Sequence, residues 1–359
     1  MLTIMNYKVE VDGAVRVLKE MKASSVLVQS PLGLRSVALR VGEMLRKEGF
    51  AVVLSSSNCW GGCDVAFAEA KSVNVDAIVH LGHSRFLRRD LVPTIYLECR
   101  YADRSPLEAM YDKIVDQFNA LKTVGVGASV QWLDFLPDLI DWLKSRGFVP
   151  LTAEPSMFSV YEAQVLGCDV SSLKRIEKRV DGFLVVGSVF HGLGLAVSTC
   201  KPVIAADPHS LKVKNLAENR ERLLKQRYAQ IDLFKNASKI GVIVSIKPGQ
   251  KRMAVARYLN QLLIEKGKQS FIVLADEVTS STVNENRFDA FVNTACPRLS
   301  LEDQATFGKP MLLPVEVLVA LGLVDWSEVV EKGFIMYPWG WHEREVGEKF
   351  WNLLLRTRH

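Results

Sequence analysis

Short, continuously apolar runs alternate along this chain with longer stretches whose apolar residues recur at three- and four-residue spacing. Ser25-Val26-Leu27-Val28-Gln29, Val124-Gly125-Val126-Gly127 and Ile240-Gly241-Val242-Ile243-Val244 read as buried strands. Each leads into a helical stretch, about Leu34 to Lys47, Leu133 to Ser145 and Lys251 to Glu265. Val37, Leu39, Val41, Met44 and Leu45 show the apolar recurrence in the first. Gly49, Gly147 and Gly267 follow, at the left-handed position that stops a helix. A second strand comes next, clearest at Ala51-Val52-Val53-Leu54.

The second half of each unit repeats as well. Asp76-Ala77-Ile78-Val79-His80, Asp181-Gly182-Phe183-Leu184-Val185 and Asp289-Ala290-Phe291-Val292-Asn293 all begin with Asp, at spacings of 181 − 76 = 105 and 289 − 181 = 108. Pro93, Pro202 and Pro310 each open a further apolar run, where a missing N–H is tolerated at the end of a ladder. Strands alternating with helices imply parallel sheets with right-handed crossovers. The expected fold is α/β: three similar parallel-sheet domains over 1–110, 111–215 and 216–330, with an extension over 331–359. Three such units would pack around a pseudo-threefold axis. Open α/β sheets bind ligands outside the carboxyl ends of their strands, so three edges would face one central site.

Composition narrows the class. With 48% hydrophobic and 24% charged residues in 359, the chain is an ordinary globular one with room for two or three cores. No run approaches the roughly 20 apolar residues that span a bilayer. The first residues lack the basic and apolar regions of a secretory signal, so the cytoplasm is expected. The net charge of +5 is spread along the chain without interleaved aromatics, which argues against direct nucleic-acid binding and suits an acidic protein partner. Six cysteines in a chain this long do not make a disulfide scaffold.

The repeat itself sorts those cysteines. Cys63 in Gly62-Cys63-Asp64 and Cys168 in Gly167-Cys168-Asp169 each lie 13 residues before their strand-opening Asp (76 − 63 and 181 − 168). Chance burial of small apolar thiols does not predict that coincidence. In the third unit the same offset falls on Asp276, but Cys296 ends its Asp289 strand, again at a carboxyl edge. Three thiolates satisfy three irons of a 4Fe-4S cluster and leave the fourth open to substrate. Zinc would favour closely spaced pairs, and no C-x-x-C occurs. The pair Cys59 and Cys63 falls short of the radical motif C-x-x-x-C-x-x-C, because its third position is Ala66. Cys59 is therefore read as a neighbour of the site, and Cys99 and Cys200 as structural.

Other groups near the strand ends are candidates for binding the cofactor or substrate. Gln29 ends the first strand, and His80, Gly82 and His83 end the first Asp strand; Gly187 and His191 follow the second. Each histidine either contacts ligand or fixes its loop by a hydrogen bond. Asp207 either touches ligand or caps the next segment. Pro297 and Arg298 follow Cys296, where the guanidinium either holds a carboxylate bidentately or pairs with an acidic side chain. The loop Lys247-Pro248-Gly249-Gln250-Lys251 precedes a helix, with free N–H groups for a carboxylate. Trp326, Trp339, Trp341 and Trp351 either seal a core or subunit contact or dock a partner.

Together, Gly61-Gly62-Cys63-Asp64, His80-Leu81-Gly82-His83-Ser84, Val165-Leu166-Gly167-Cys168, Phe190-His191-Gly192-Leu193-Gly194-Leu195, Asp207-Pro208 and Ala295-Cys296-Pro297-Arg298-Leu299-Ser300 carry a resemblance. The chain resembles the archaeal diphthamide synthesis enzymes, the 2-(3-amino-3-carboxypropyl)histidine synthase family. The resemblance implies three α/β domains that each give one cysteine to a 4Fe-4S cluster, and a homodimer. It implies S-adenosylmethionine as substrate, elongation factor 2 as protein partner and a separate electron donor. One electron from the cluster would break the sulfonium bond to the amino-acid side chain. A 3-amino-3-carboxypropyl group would then join the imidazole C2 of one histidine, leaving methylthioadenosine. Two alternatives stay open: a quinolinate synthase-like dehydratase, whose open iron is a Lewis acid, and a non-catalytic iron–sulfur partner subunit.

Overall fold

The computed structural model of the protein describes residues 2–336. Three sheets carry the architecture. The first is built from β1 (Ser25–Gln29), β2 (Ala51–Leu54), β3 (Ala77–Leu81) and β4 (Thr94–Leu97), in the order β2-β1-β3-β4 and all parallel. The second has β5 (Thr123–Ala128), β6 (Val149–Leu151), β7 (Gly182–Val186) and β8 (Val203–Asp207), with the core order β6-β5-β7-β8. An antiparallel strand, Lys212–Asn215, extends its β8 edge. The third has β9 (Lys239–Ser245), β10 (Gln269–Ala275), β11 (Ala290–Asn293) and β12 (Met311–Leu312), in the order β10-β9-β11-β12 and all parallel. The protein is thus mixed α/β with several parallel sheets. A small antiparallel sheet of Leu2–Ile4, Tyr7–Val9 and Arg100–Tyr101 stands apart from them.

The repeated Asp and Pro have a shared physical job. Each aspartate lies one residue before its strand and turns its carboxylate back to the neighbouring strand's start. Asp76 Oδ2 accepts from the amides of Ser24 and Ser25, Asp181 Oδ2 from Lys122 and Thr123, and Asp289 Oδ2 from Ser238 and Lys239. Those amides hold all three carboxyls below the usual carboxylate range, Asp76 at about 2. Each proline lies just outside its strand, and its carbonyl still accepts the first ladder bond, from Ile78, Phe183 and Phe291 respectively. The strand starts are therefore pinned on both sides of the central strand.

The helices fill the expected places, at Arg35–Lys47, Leu136–Ser145 and Met253–Glu265. Gly49, Gly147 and Gly267 close them at φ of +94°, +85° and +79°. In the first helix Val37, Val41 and Leu45 are buried against β1 and β3, but Leu39 is 51% exposed. It sits off the buried stripe. Trp326 packs beside Tyr228 at the edge of the third core. Trp339, Trp341 and Trp351, and most of the expected extension 331–359, lie outside the described residues. No helix among the described residues is long and apolar enough to cross a membrane.

One buried ion pair ties the long helix Ala217–Lys235 to the third sheet. Arg227, fully buried, donates to both carboxylate oxygens of Glu316, to the carbonyls of Ser300 and Met311, and to Gln304 Oε1. Every guanidinium face thus has a partner, which is the condition for a buried charge to be tolerated. Glu316→Ala leaves that charge buried and unpaired, and is expected to cost about 3–5 kcal/mol. A calorimetric scan will read this as a lowered unfolding midpoint. Breaking the exposed Arg40–Glu43 pair by Glu43→Ala, as a control, is expected to change stability by less than ~1 kcal/mol.

Candidate metal centre

Parallel strands leave their carboxyl ends to loops, and those loops here line one cavity of about 620 Å³. Cys63 comes from the loop after β2, Cys168 from the loop after β6, and Cys296 from the residue that starts the helix Pro297–Leu301 after β11. All three reach the cavity wall. They are also close enough to sense each other's charge. Burial pushes the Cys168 thiol far above its ordinary value, and the neighbouring Cys63 and Cys296 push it further. Burial, then Cys63, raises Cys296 to about 12. Cys63 is raised by burial too, against a hydrogen bond from Gln250 Nε2 at 3.4 Å. Three buried thiols whose charged forms would repel one another are a poor arrangement for a bare protein and a good one for a cationic core.

Sequence reasoning marked the Lys247 loop for its amides but not the Lys247 ammonium on this wall, nor Arg252 near it. Arg252 lowers the thiol of all three cysteines, so its positive charge faces the whole set. Its guanidinium is held by the Ala295 carbonyl at 2.8 Å, next to Cys296. Lys247 sits among Asp64, Asp276 and Glu277, with its ammonium 3.1, 3.4 and 2.9 Å from their carboxylates. Asp276, the third unit's counterpart of Cys63 and Cys168 by offset, is thus an ion-pair partner on the cavity wall. The loop Lys247–Lys251 was expected to offer free amides to a carboxylate. Instead the Gly249 amide donates to the Cys63 carbonyl at 2.8 Å, and a Cβ on Gly249 would stand 2.7 Å from Cys63 Cα and Cβ. That loop is packed on Cys63 itself.

The remaining candidates divide. Gly82, His83, Gly187, His191, Asp207 and Arg298 line the cavity with the cysteines, whereas Gln29, His80 and Pro297 do not. Gln29, one of the candidates for binding cofactor or substrate, is buried behind the wall. Its Nε2 donates to the Asp64 carbonyl at 2.7 Å, and its Oε1 accepts from the Ala66 amide at 3.0 Å and faces His80 Nδ1 at 2.9 Å. Gln29 and His80 are register partners on adjacent strands, so their meeting follows from the pairing of β1 with β3. His80 Nε2 in turn meets His83 Nδ1 at 3.0 Å. His191 Nδ1 bonds the Ser188 hydroxyl at 2.9 Å. Asp207 caps its turn through the His209 amide and the Ser210 hydroxyl, and Arg298 pairs with Glu302 while its guanidinium lies 4.6 Å from the Phe190 ring centre.

Cys59 is buried behind the wall, where burial raises its thiol to about 12. Its sulfur and the ring nitrogens of His80 and His83 lie within 4.8 Å of one another, a spacing that suits one ion. Both His80 nitrogens already have side-chain partners, so this group is satisfied without a metal. A cubane cluster carries each thiolate on a different iron and needs ligands farther apart than a single ion does. Cys99 is buried with its thiol turned to the Leu97 carbonyl, and Cys200 is exposed.

The family model described as "Putative diphthamide synthesis protein" matches residues 30–331. The chain belongs to the diphthamide synthesis family. It is 37% identical over 319 residues to the 2-(3-amino-3-carboxypropyl)histidine synthase of Pyrococcus horikoshii, covering 88% of this chain and 92% of that protein. Subunit 1 of the Schizosaccharomyces pombe 2-(3-amino-3-carboxypropyl)histidine synthase is 25% identical, over 92% of this chain and 77% of the subunit. The crystal structure of Dph2 from Pyrococcus horikoshii with a 4Fe-4S cluster superposes at a TM-score of 0.82 and 34% identity, covering 89% of this chain and 93% of that one. In this member of the diphthamide synthesis family, the raised thiols make a test of the metal-free site. The alkylation rate of Cys296 by iodoacetamide is expected to be low at neutral pH and to rise about tenfold per pH unit toward 12. Peptide mapping by mass spectrometry, with exposed Cys200 as internal reference, reads the result.

Proposed function

We propose that this chain is a 2-(3-amino-3-carboxypropyl)histidine synthase, which transfers the 3-amino-3-carboxypropyl group of S-adenosylmethionine to a histidine of elongation factor 2. This is the first step of diphthamide biosynthesis. The observation that carries the reading is the convergence of Cys63, Cys168 and Cys296 on one cavity, in a relative of a protein solved with a 4Fe-4S cluster. The donor set fits that group: three soft sulfur ligands, no fourth cysteine among the described lining residues, and hydrogen-bond and charge partners beside them.

In this reading the ligands are Cys63, Cys168 and Cys296, one from each of three domains, 1–110, 111–215 and 216–330, around a pseudo-threefold axis. The identical strand order of the three parallel sheets supports that division. When bound and reduced by a separate electron donor, the cluster supplies the electron that cleaves S-adenosylmethionine to methylthioadenosine and the aminocarboxypropyl fragment. The chain's own residues orient and shield. Gln250 donates to the Cys63 sulfur, and Arg252 offsets the negative charge of the thiolates. Arg298, two residues from Cys296, would hold a ligand carboxylate, with Gly82, Gly187, His191 and Asp207 lining the same cavity. A cytoplasmic homodimer completes the proposal.

Anaerobic incubation of the purified, reconstituted chain with dithionite and S-adenosylmethionine is expected to yield methylthioadenosine; an intact cluster that yields none rejects the transferase. That same result would favour the Lewis-acid dehydratase. Labelling of elongation factor 2 by the chain alone separates an enzyme from a partner subunit. For the ligands, Cys63→Ala, Cys168→Ala and Cys296→Ala are each expected to lose the brown cluster absorbance, while Cys59→Ala keeps it. The reverse pattern for Cys59 and Cys63 would show the ligand assignment to be wrong.

A further inference from the structure

The amide of Gln29 cannot be turned over, because its two ends meet groups of fixed character. Its nitrogen must face the Asp64 carbonyl, and its oxygen must face the Ala66 N–H. The same oxygen lies 2.9 Å from His80 Nδ1, so that nitrogen carries a proton. Burial holds His80 far below its ordinary value, which makes it neutral and leaves Nε2 with a lone pair. His83 Nδ1, 3.0 Å from that lone pair, must then be the donor. His83 is itself driven down to about 4 by burial and by nearby His191, so it is neutral too. Its proton is on Nδ1, and its Nε2 is a bare lone pair. No protein group among the described residues bonds that nitrogen, and His83 lines the cysteine cavity.

Resting on the transferase reading above, the reaction has an unassigned proton. It breaks one sulfur–carbon bond and the C2–H bond of the target imidazole, and it forms one C2–carbon bond. The electron lent at cleavage returns to the cluster as the ring regains aromaticity, so the net change is redox-neutral. A cationic sulfonium becomes neutral methylthioadenosine, and one proton leaves C2. We propose that His83 Nε2 is the base that takes this proton, and that Gln29 and His80 are positioning residues that lock it in the accepting tautomer. A weak base suffices, because restoring the aromatic ring drives the transfer. The same weakness keeps the site unprotonated at neutral pH. The chain ends at an amide that cannot accept a proton, so it is a lock and not a wire. The proton leaves from His83 into the cavity.

Two measurements test this. Two-bond ¹⁵N–¹H correlation on the wild-type chain labelled in its 6 histidines is expected to show His83 with protonated Nδ1 and a bare Nε2. The opposite tautomer overturns the proposal, and it does so without any turnover. Gln29→Leu, which removes the fixed oxygen, is expected to mix the tautomers of both His80 and His83. His83→Asn keeps an N–H toward His80 but has no Nε2. It is expected to retain cluster absorbance and single-turnover methylthioadenosine, while labelling of elongation factor 2 slows about 10²-fold. Deuterium at C2 of the target histidine should slow the variant more than the wild type. Undiminished labelling by His83→Asn sinks the base assignment alone. Failure of the wild type to make methylthioadenosine sinks the transferase and this assignment together.

Discussion

The structure turns on the cost of bringing three thiol side chains from three separate sheets into one cavity. Each sulfur loses water, and each would, as thiolate, repel the other two. Nothing in a bare protein rewards that arrangement. It would become favourable with something cationic among the sulfurs, as in the proposed cluster. Arg252 and Gln250 face the sulfurs, and the Lys247–Lys251 loop is clamped on Cys63 through Gly249. The convergence depends on three loops at once, so the rest of the fold serves to hold those loops in place.

The repeated aspartates and prolines belong to that task. They fix where each central strand starts, and a parallel strand of four or five residues whose start is fixed has its carboxyl end fixed too. Asp76 thereby sets where His80 and the following Gly82 emerge, and Asp289 sets where Cys296 emerges. The opposite end of the sheet, far from the chemistry, determines its geometry. Lys247 does the complementary work across units. One ammonium among Asp64, Asp276 and Glu277 ties the loop that bears Cys63 to the third sheet.

Sequence made the periodic part of this visible. The strands, the helix stops at Gly49, Gly147 and Gly267, and the offset that pairs Cys63 with Cys168 are all properties of neighbours along the chain. Apolar periodicity and turn chemistry encode such properties directly. Apolarity alone does not say which face a residue takes, and Leu39 turns to solvent. The Lys247 ammonium and Arg252 were missed for a different reason. Lys247 meets Asp64 183 residues away, Arg252 is held by the Ala295 carbonyl 43 residues on, and no local pattern marks a lysine that will find three carboxylates. Gln29 was assigned to ligand because it ends a strand at the right edge. Its side chain belongs to the wall because β1 pairs with β3 in a register that sets it beside His80.

That misplacement is instructive about how such sites are assembled. An amide held at both ends is a fixed dipole, and a fixed dipole beside a buried neutral imidazole decides which ring nitrogen carries the proton. The decision passes through His80 to His83 with no charge moved. A surface histidine would sample both tautomers and offer its lone pair only part of the time. Here the two-strand register, itself set by the Asp76 anchor, is converted into a single protonation pattern at the cavity wall. The backbone hydrogen bonds that begin at Ser24 and Ser25 therefore reach the chemistry through geometry alone, and the bare nitrogen of His83 is where that geometry ends.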